Sequence, residues 1–334
     1  MRRRRVGRAP SCGRSWAAEW TRRVAGVRRL RQHGRVTETI DALAGLVAAG
    51  GVVVLSGAGL STESGIPDYR GPTGVARRHP PMTYQAFTRE PAARRRYWAR
   101  SHLGWRMVAR ASPNDGHRAV ARLQAAGLVD GVITQNVDGL HTAAGSTGVV
   151  DLHGRLDTVV CLRCGDRTSR EELDRRLVAA NPGFDATVAV VNPDGDVELD
   201  EERVAAFRLV DCTRCGAGML KPDVVFFGET VPADRVSRCF AMVDAARSLL
   251  VLGSSLTVWS GRRFVLRAAK LGTAVVIANQ GVTRGDGYAA LRVDAPLGRV
   301  LPQVVQRVVA GADRAPGDGV GGSVPVVAVT PVAG

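Results

Sequence analysis

The chain has 334 residues and a formal net charge of +15. This length is enough for one large α/β domain that carries a smaller insertion. No apolar run reaches the roughly eighteen residues that a membrane-spanning helix needs, so no membrane span is predicted. The high net charge would suggest a nucleic-acid-binding protein if the charge were spread over the chain.

The positive charge is instead concentrated at the N-terminus. Residues 1–35 contain twelve arginines and a single acidic residue, Glu19. Such a block is typical of a disordered extension; a nucleic-acid-binding arm and an Arg-rich transit peptide are the alternatives. Only two lysines occur among many Ala, Val, Gly and Arg residues, which is typical of a GC-rich coding sequence. In such a sequence, a start codon assigned too far upstream would add an arginine-rich segment of this kind. We expect a disordered extension on a cytoplasmic protein.

Short apolar runs alternate with helical patterns along the rest of the chain, which is typical of a doubly wound parallel α/β sheet. The predicted buried strands are residues 52–56, 131–134, 248–252 and 274–278. Polar loops follow them at Gly57, Gln135, Gly253 and Asn279. Because open α/β sheets bind nucleotides at the carboxyl edge of their strands, we expect these loops to form one Rossmann-like site.

The predicted domain organisation has three parts. Residues 1–35 form the basic extension, 36–310 the catalytic domain and 311–334 a loose tail. Within the catalytic domain we expect a helical insertion at 72–112 and a smaller structural-zinc module at 155–229.

The first predicted strand runs directly into a glycine-rich turn, in which residues 57–65 read GAGLSTESG. A turn of this kind presents backbone N–H groups to a pyrophosphate. A hydride-transferring dehydrogenase would carry G-x-G-x-x-G, but Thr62 occupies the third glycine position. Pro67 then disfavours continuation of a helix. The turn therefore predicts a dinucleotide site with an irregular polar loop and speaks against a dehydrogenase.

Four of the six cysteines occur in two C-x-x-C pairs, which indicates a metal site rather than a disulfide framework. Four thiolates fill a tetrahedral zinc site and leave no position open for water activation. A nucleic-acid-binding zinc ribbon is the alternative, but its usual gap is shorter and the acidic run at 194–202 would repel phosphate. The predicted ligands of one structural Zn²⁺ are Cys161, Cys164, Cys212 and Cys215.

Several motifs, taken in order, resemble those of the sirtuins, which are NAD-dependent protein deacylases. They cover roughly residues 38–310 and comprise 57–70, 134–141, 152–154 and 253–256. Further stretches resemble the class II branch, which includes a mitochondrial sirtuin; these are 97–100, 193–197 and 221–229. The resemblance implies transfer of an acyl group from lysine to the ADP-ribose of NAD, with release of nicotinamide.

The resemblance also implies catalytic roles. In the family the substrate amide oxygen displaces nicotinamide, and His153 matches the base that deprotonates the ribose hydroxyl attacking the resulting imidate. An imidazole titrates near the pH of the cell, which suits a general base. Asn136 and Asp138 match the polar pair that holds the nicotinamide ribose and orients water. We expect His33, His79, His102 and His117 to be packing or surface residues.

The remaining NAD contacts follow from the same resemblance. Asp68, Tyr69 and Arg70 match the flexible loop that shields the nicotinamide end. No Arg immediately follows Asn279, so NAD is favoured over NADP. The predicted NAD-binding residues are Gly57, Ala58, Gly59, Ser61, Thr62, Glu63, Ile66, Pro67, Asp68, Tyr69, Arg70, Gln135, Asn136, Val137, Asp138, Gly253, Ser254, Ser255, Asn279, Gln280, Gly281 and Leu297.

Two sets of residues are predicted to bind the acyl-lysine substrate. Residues 224–228 resemble the family strand that pairs with the substrate backbone, with Val224, Val225 and Phe226 as contacts; an ordinary buried strand is the alternative. Tyr97 and Arg100 share a helix face at i, i+3, where a phenol and a guanidinium could receive a carboxylate and so favour acidic acyl groups. The alternative is a solvated basic face in which Tyr97 is half-buried.

The predicted function is therefore NAD-dependent protein-lysine deacylation. Protein mono-ADP-ribosylation at the same site is the alternative, and a zinc-ribbon nucleic-acid-binding protein is a remote one. The expected partners are acyl-lysine proteins and NAD, with no membrane and no nucleic acid beyond non-specific contact by the basic N-terminus.

Overall fold

The computed structural model describes residues 36–68, 81–184, 197 and 199–312. Tyr69, Arg70, the N-terminal extension and the acidic stretch at 193–196 lie outside the described residues. Within the described part, no helix is long and apolar enough to cross a membrane.

Helices and strands alternate along most of the chain. The helices are α1 (Val36–Ala48), α2 (Tyr84–Arg89), α3 (Pro91–Arg110), α4 (Asp115–Ala125), α5 (Leu140–Ala143), α6 (Arg170–Ala180), α7 (Glu201–Ala206), α8 (Ala233–Ala245), α9 (Trp259–Leu271) and α10 (Leu297–Ala312). The strands are β1 (Val52–Ser56), β2 (Val129–Thr134), β3 (Val150–Asp151), β4 (Gly154–Cys161), β5 (Arg167–Ser169), β6 (Leu220–Val224), β7 (Ser248–Leu252), β8 (Ala274–Ala278) and β9 (Leu291–Val293). The last helix ends at Ala312 and so includes the first two residues of the predicted tail at 311–334.

The large sheet is parallel, with the strand order β3-β2-β1-β7-β8-β9. All residues of β1, β7 and β8 are buried, as expected for strands covered on both faces. Along β1, Val52 and Val54 pack with α1, α4 and α10, whereas Val53 and Leu55 pack with α8 and α9. This alternation confirms the predicted doubly wound α/β fold. The four predicted strands are all present; the short edge strands β3 and β9 were not predicted.

A smaller antiparallel sheet with the order β5-β4-β6 lies in the second insertion. It shares one hydrophobic cluster with the helices α2 and α3 of the first insertion. The predicted strand at 224–228 is wrong in its extent, because β6 ends at Val224 and the chain then turns. The turn is held by the Val225 N–H, which donates to the His153 carbonyl oxygen at 2.8 Å, and by the Phe226 N–H, which donates to Glu229 Oε2 at 2.8 Å.

A buried arginine joins the two insertions. Arg170, at the start of α6, is only 1% exposed, and its guanidinium lies 5.2 Å and 5.4 Å from the ring centroids of Trp98 and Trp105 on α3. It pairs with Asp174 at 3.6 Å. Burial lowers the pKa of Arg170 to about 10, so the side chain stays charged at neutral pH. A buried charge of this kind depends on its carboxylate and ring partners.

We predict that Arg170→Ala lowers the free energy of unfolding by about 3–5 kcal/mol, since it removes both the buried ion pair with Asp174 and the packing of the guanidinium against Trp98 and Trp105. The matched control is Arg175→Ala on the same helix, because Arg175 pairs with Glu172 while its side chain is 73% exposed. That change should cost about 1 kcal/mol or less. Urea titration of both variants measures the difference, and similar small losses would contradict a joining role for Arg170.

Candidate functional site

A cavity of about 830 Å³ opens at the carboxyl ends of the large sheet's central strands. The loops after β1, β2, β7 and β8 all reach it, as the sequence predicts. The described residues predicted for the site that lie in its wall are Gly57, Ala58, Gly59, Ser61, Thr62, Ile66, Pro67, Asp68, Tyr97, Gln135, Asn136, Val137, Asp138, His153, Val224, Val225, Phe226, Gly253, Ser254, Ser255, Asn279, Gln280, Gly281 and Leu297. The volume and the polar groups among the lining residues suit a dinucleotide together with part of a second substrate.

The glycine turn after β1 lies in direct backbone contact with the loop after β7. The Gly59 N–H donates to the Gly253 carbonyl oxygen at 2.8 Å. Gly253 has φ +60°, and a Cβ atom there would lie 2.4 Å from the Leu60 nitrogen. Only glycine fits at this position, because a side chain would force the two loops apart.

Two of the predicted site residues lie away from the cavity wall. Glu63 instead accepts a hydrogen bond from the Gly298 N–H at 3.1 Å and so ties the glycine turn to the first turn of α10. Arg100 is 7% exposed, and its Nε donates to the Val197 carbonyl oxygen at 2.5 Å. The alternative prediction of a solvated basic face is therefore wrong for Arg100, because its side chain is buried between α3 and the second insertion.

A chain of polar side chains crosses the floor of the cavity. Asn136 Nδ2 donates to Ser61 Oγ at 3.0 Å and to the Gly57 carbonyl oxygen at 3.1 Å. The Ser61 hydroxyl in turn donates to Asp138 Oδ2 at 2.7 Å. Gln135 Nε2 donates to Ser254 Oγ at 2.8 Å. These bonds connect the loops after β1, β2 and β7, so each loop fixes the position of the others.

A second layer of buried polar groups supports these loops from below. The Ser56 hydroxyl, at the end of β1, lies 2.9 Å from Thr134 Oγ1 and 2.8 Å from His141 Nε2. The His141 ring packs edge-on against His117, with ring centroids 5.1 Å apart. Burial lowers the pKa of His141 to about 3 and that of His117 to about 4, so both rings are neutral at physiological pH. The expectation that His117 is a packing residue agrees with its full burial.

His153 follows β3 and faces the cavity. Its Nδ1 lies 2.9 Å from the Gln135 carbonyl oxygen, and its Nε2 lies 2.7 Å from Ser260 Oγ. A carbonyl oxygen can only accept, so Nδ1 carries the proton and Nε2 is the basic nitrogen. Burial is the main cause that lowers the pKa of His153; the Gln135 carbonyl opposes it, and Arg263 and Arg235 add to it. The ring is thus a neutral base at physiological pH.

Aromatic side chains form the wall opposite the glycine turn. The Tyr97 ring lies 5.5 Å from Phe87 and 5.1 Å from Phe226, both measured between centroids. Lys221 is buried, pairs with Glu229 at 3.0 Å and lies 4.6 Å from the Phe226 ring centroid. This pair was not anticipated from the sequence, although both residues belong to the stretch 221–229. It anchors the turn that follows β6.

The four predicted zinc ligands come together at the outer end of the small sheet. Their Sγ atoms all lie within 4.8 Å of one another. Cys161 Sγ is 3.8 Å from Cys215 Sγ, and Cys164 Sγ is 3.7 Å from Cys212 Sγ. These separations are those of thiolates around one tetrahedral Zn²⁺, and the donor set is typical of a structural site. The four cysteines are thus positioned to bind one zinc ion.

Comparison with known proteins agrees with this fold and site. Residues 57–260 match the Sir2 family. The chain is 61% identical over 272 residues to NAD-dependent protein deacetylase 1 of Streptomyces coelicolor (81% of this chain, 91% of that protein). It is 53% identical over 264 residues to NAD-dependent protein deacetylase 1 of Mycobacterium avium (78% and 92%). A solved Sir2–p53 peptide–NAD⁺ complex is 29% identical, with a TM-score of 0.64 and coverage of 84% of this chain and 100% of that chain.

The fold and the site define a nucleotide-binding α/β protein with a four-cysteine metal module. The chain belongs to the Sir2 family, the sirtuins. The resemblance stated from its motifs is therefore confirmed at the level of the family, while the class II branch stays a prediction.

We predict that Cys212→Ala abolishes zinc retention and unfolds the module at 155–229, because metal binding supplies folding free energy to small four-cysteine sites. The control is Cys239→Ala, because Cys239 is a buried cysteine on α8 outside the cluster. The Cys239→Ala protein should retain its zinc. Elemental analysis and limited proteolysis measure the two effects. A zinc-free Cys212→Ala protein that resists protease would rule out a structural metal.

Proposed function

We propose that this protein is an NAD-dependent protein-lysine deacetylase that transfers the acyl group to ADP-ribose and releases nicotinamide. One observation carries the proposal: His153 presents a neutral Nε2 to the same cavity that is built from the glycine turn and the loop at 135–138. The relatives' names, NAD-dependent protein deacetylase, support it. So does a Sir2 structure that contains a deacetylated p53 peptide and 3′-O-acetyl-ADP-ribose.

His153 is the general base in this proposal. When bound, NAD supplies the ribose carbon from which nicotinamide leaves and the hydroxyl that receives the acyl group. Nε2 of His153 takes the proton of that hydroxyl, while the Nδ1–H bond to the Gln135 carbonyl oxygen holds the ring in the required tautomer. Because burial lowers its pKa, the base is unprotonated at neutral pH without assistance from a carboxylate.

The polar chain through Ser61, Asn136 and Asp138 holds the nicotinamide end of NAD in this account. Each of the three side chains is fixed by at least one of the others, which gives the site the preorganisation that catalysis requires. In this proposal Ser254 and Ser255 contact phosphate and ribose groups of NAD at the end of β7, and Asn279 contacts the adenosine ribose at the end of β8.

The acyl-lysine enters on the aromatic side of the cavity in this proposal. The Val225 and Phe226 N–H groups are engaged within the protein, and the Phe226 carbonyl oxygen accepts from the Glu229 N–H at 3.0 Å. The Phe227 and Gly228 carbonyl oxygens accept from Tyr84 N–H and Gln85 Nε2. On this edge of the described chain, the Val225 carbonyl oxygen is therefore the group proposed to pair with a substrate backbone. The 3.0 Å ion pair between Lys221 and Glu229 keeps this edge in place. We propose a cytoplasmic location, as expected from the cysteine usage, and no nucleic-acid substrate.

We predict that His153→Ala lowers kcat by about 10²–10⁴-fold, the contribution of a general base, while NAD binding is retained. The measurement is steady-state deacetylation of an acetyl-lysine peptide, with calorimetric titration of NAD as the control for folding. Turnover near that of the wild type would rule out His153 as the base. Transfer of ADP-ribose to protein in place of deacetylation would favour the mono-ADP-ribosylation alternative.

The acyl selectivity of the site is proposed to depend on Tyr97 and Arg100. Of these two residues only Tyr97 lies in the cavity wall, while Arg100 lies one helical turn further along α3 and is buried. A buried guanidinium behind a phenol favours negative charge in front of that phenol. The proposal is that acidic or bulky acyl groups are removed at least as well as acetyl.

We predict that kcat/KM for succinyl-, glutaryl- and methylglutaryl-lysine peptides equals or exceeds that for acetyl-lysine, and that Arg100→Ala lowers only the values for the acidic substrates. The matched control is Arg96→Ala on the same helix, whose guanidinium pairs with exposed Glu201 at 3.2 Å. A preference for acetyl of about tenfold or more, or acidic substrates unaffected by Arg100→Ala, would contradict this proposal.

A further inference from the structure

Ser260 is hydrogen-bonded to Nε2 of His153, the nitrogen that the proposed reaction requires as a base. Its Oγ lies 2.7 Å from His153 Nε2, while His153 Nδ1 lies 2.9 Å from the Gln135 carbonyl oxygen. With the proton on Nδ1, Nε2 is an acceptor, so the Ser260 hydroxyl is the donor in this bond. Both groups lie in the cavity wall.

The start of α9 is built to bring Ser260 to this place. Ser260 is the second residue of the helix, and Gly261 follows it against Gln135. A Cβ atom on Gly261 would lie 2.3 Å from Gln135 Oε1. A larger residue there would therefore displace the Gln135 amide, which itself donates to Ser254 Oγ at 2.8 Å. Arg263 Nε also donates to the Ser260 carbonyl oxygen at 3.1 Å, which fixes the backbone of this first turn.

A neutral imidazole nitrogen has one lone pair and accepts one strong hydrogen bond. The Ser260 hydroxyl and the ribose hydroxyl of NAD therefore compete for Nε2. Once Nε2 has taken the ribose proton it becomes a donor, and Ser260 Oγ, which has lone pairs of its own, can accept from it. A hydroxyl is thus suited to contact the base before and after proton transfer, whereas an alkyl side chain is not.

Resting on the proposed function, we propose that Ser260 is a positioning residue of the deacylation reaction. In the free enzyme its hydroxyl donates a hydrogen bond to Nε2 of His153, and when NAD is bound the ribose hydroxyl replaces it there. After proton transfer, Ser260 Oγ accepts a hydrogen bond from the protonated ring. The ribose O–H proton moves to Nε2, and its electron pair stays on the ribose oxygen.

Ser260 Oγ stabilises both forms of the ring, but the bond that it accepts from the protonated ring is charge-assisted and is therefore the stronger of the two, so removal of the hydroxyl favours the neutral form. The charged groups that act on this ring are Arg235 from α8 and Arg263 from α9, and both disfavour protonation. They remain in place when the hydroxyl alone is deleted. The difference between a charge-assisted and a neutral hydrogen bond corresponds to a fall of about 0.5–1 pH unit in the pKa of His153.

The test compares Ser260→Ala with Ser260→Thr, which keeps the hydroxyl. Nitrogen-15 NMR of the histidine rings, with His153 assigned from His153→Ala, follows the ring in the free protein and needs no turnover. We expect a neutral Nδ1–H tautomer in the wild type, a lower His153 pKa in Ser260→Ala, and the wild-type pKa restored in Ser260→Thr. The acid limb of kcat/KM should move by the same amount as the pKa.

An unchanged His153 pKa in Ser260→Ala, or a proton on Nε2 in the neutral wild-type ring, would overturn the positioning role of Ser260. Either result would leave the proposed deacylase activity standing. Conversely, a wild-type protein with the expected titration and no deacylase activity would overturn the proposed function without changing the contact between Ser260 and His153.

Discussion

The backbone contact between Gly59 and Gly253 is the constraint on which the site depends. It holds the loop after β1 against the loop after β7 at a separation that no side chain permits. The side-chain bonds from Asn136 to Ser61 and from Gln135 to Ser254 then attach the loop after β2 to both. Because the three strands are neighbours in a rigid parallel sheet, the cavity is largely formed before any ligand arrives.

The zinc module and the helical insertion complete the site from the other side. They share one hydrophobic cluster, and the cysteine cluster lies at its far end, away from His153. The metal therefore stabilises the sheet whose last strand, β6, leads into the turn at 225–229. In this arrangement the large sheet provides the nucleotide half of the cavity, and the insertions provide the half that faces the acyl-lysine.

Much of this could be predicted from the sequence because the signals are local. Continuous apolar runs followed by polar loops predict buried parallel strands and one shared edge, and two C-x-x-C pairs predict a thiolate site. Edge strands β3 and β9 have two and three residues, too few for a pattern to be recognised. The end of β6 at Val224 is set by a bond to His153, which no local pattern indicates.

The unpredicted parts of the site depend on contacts between residues far apart in sequence. Ser260 and His153 are separated by 107 positions, and a serine near the start of a helix is ordinarily interpreted as a capping residue. Arg100 follows a run of arginines that is typical of a solvated face, yet packing against the second insertion buries it. In both cases tertiary structure decides the role of a residue whose local sequence suggests a simpler one.

Mass spectrometry of the products formed from NAD and an acyl-lysine peptide tests the central claim most directly. The account predicts nicotinamide, the free lysine peptide and acyl-ADP-ribose in equal amounts. An acylated peptide left intact beside free ADP-ribose, or ADP-ribose attached to protein, would contradict it.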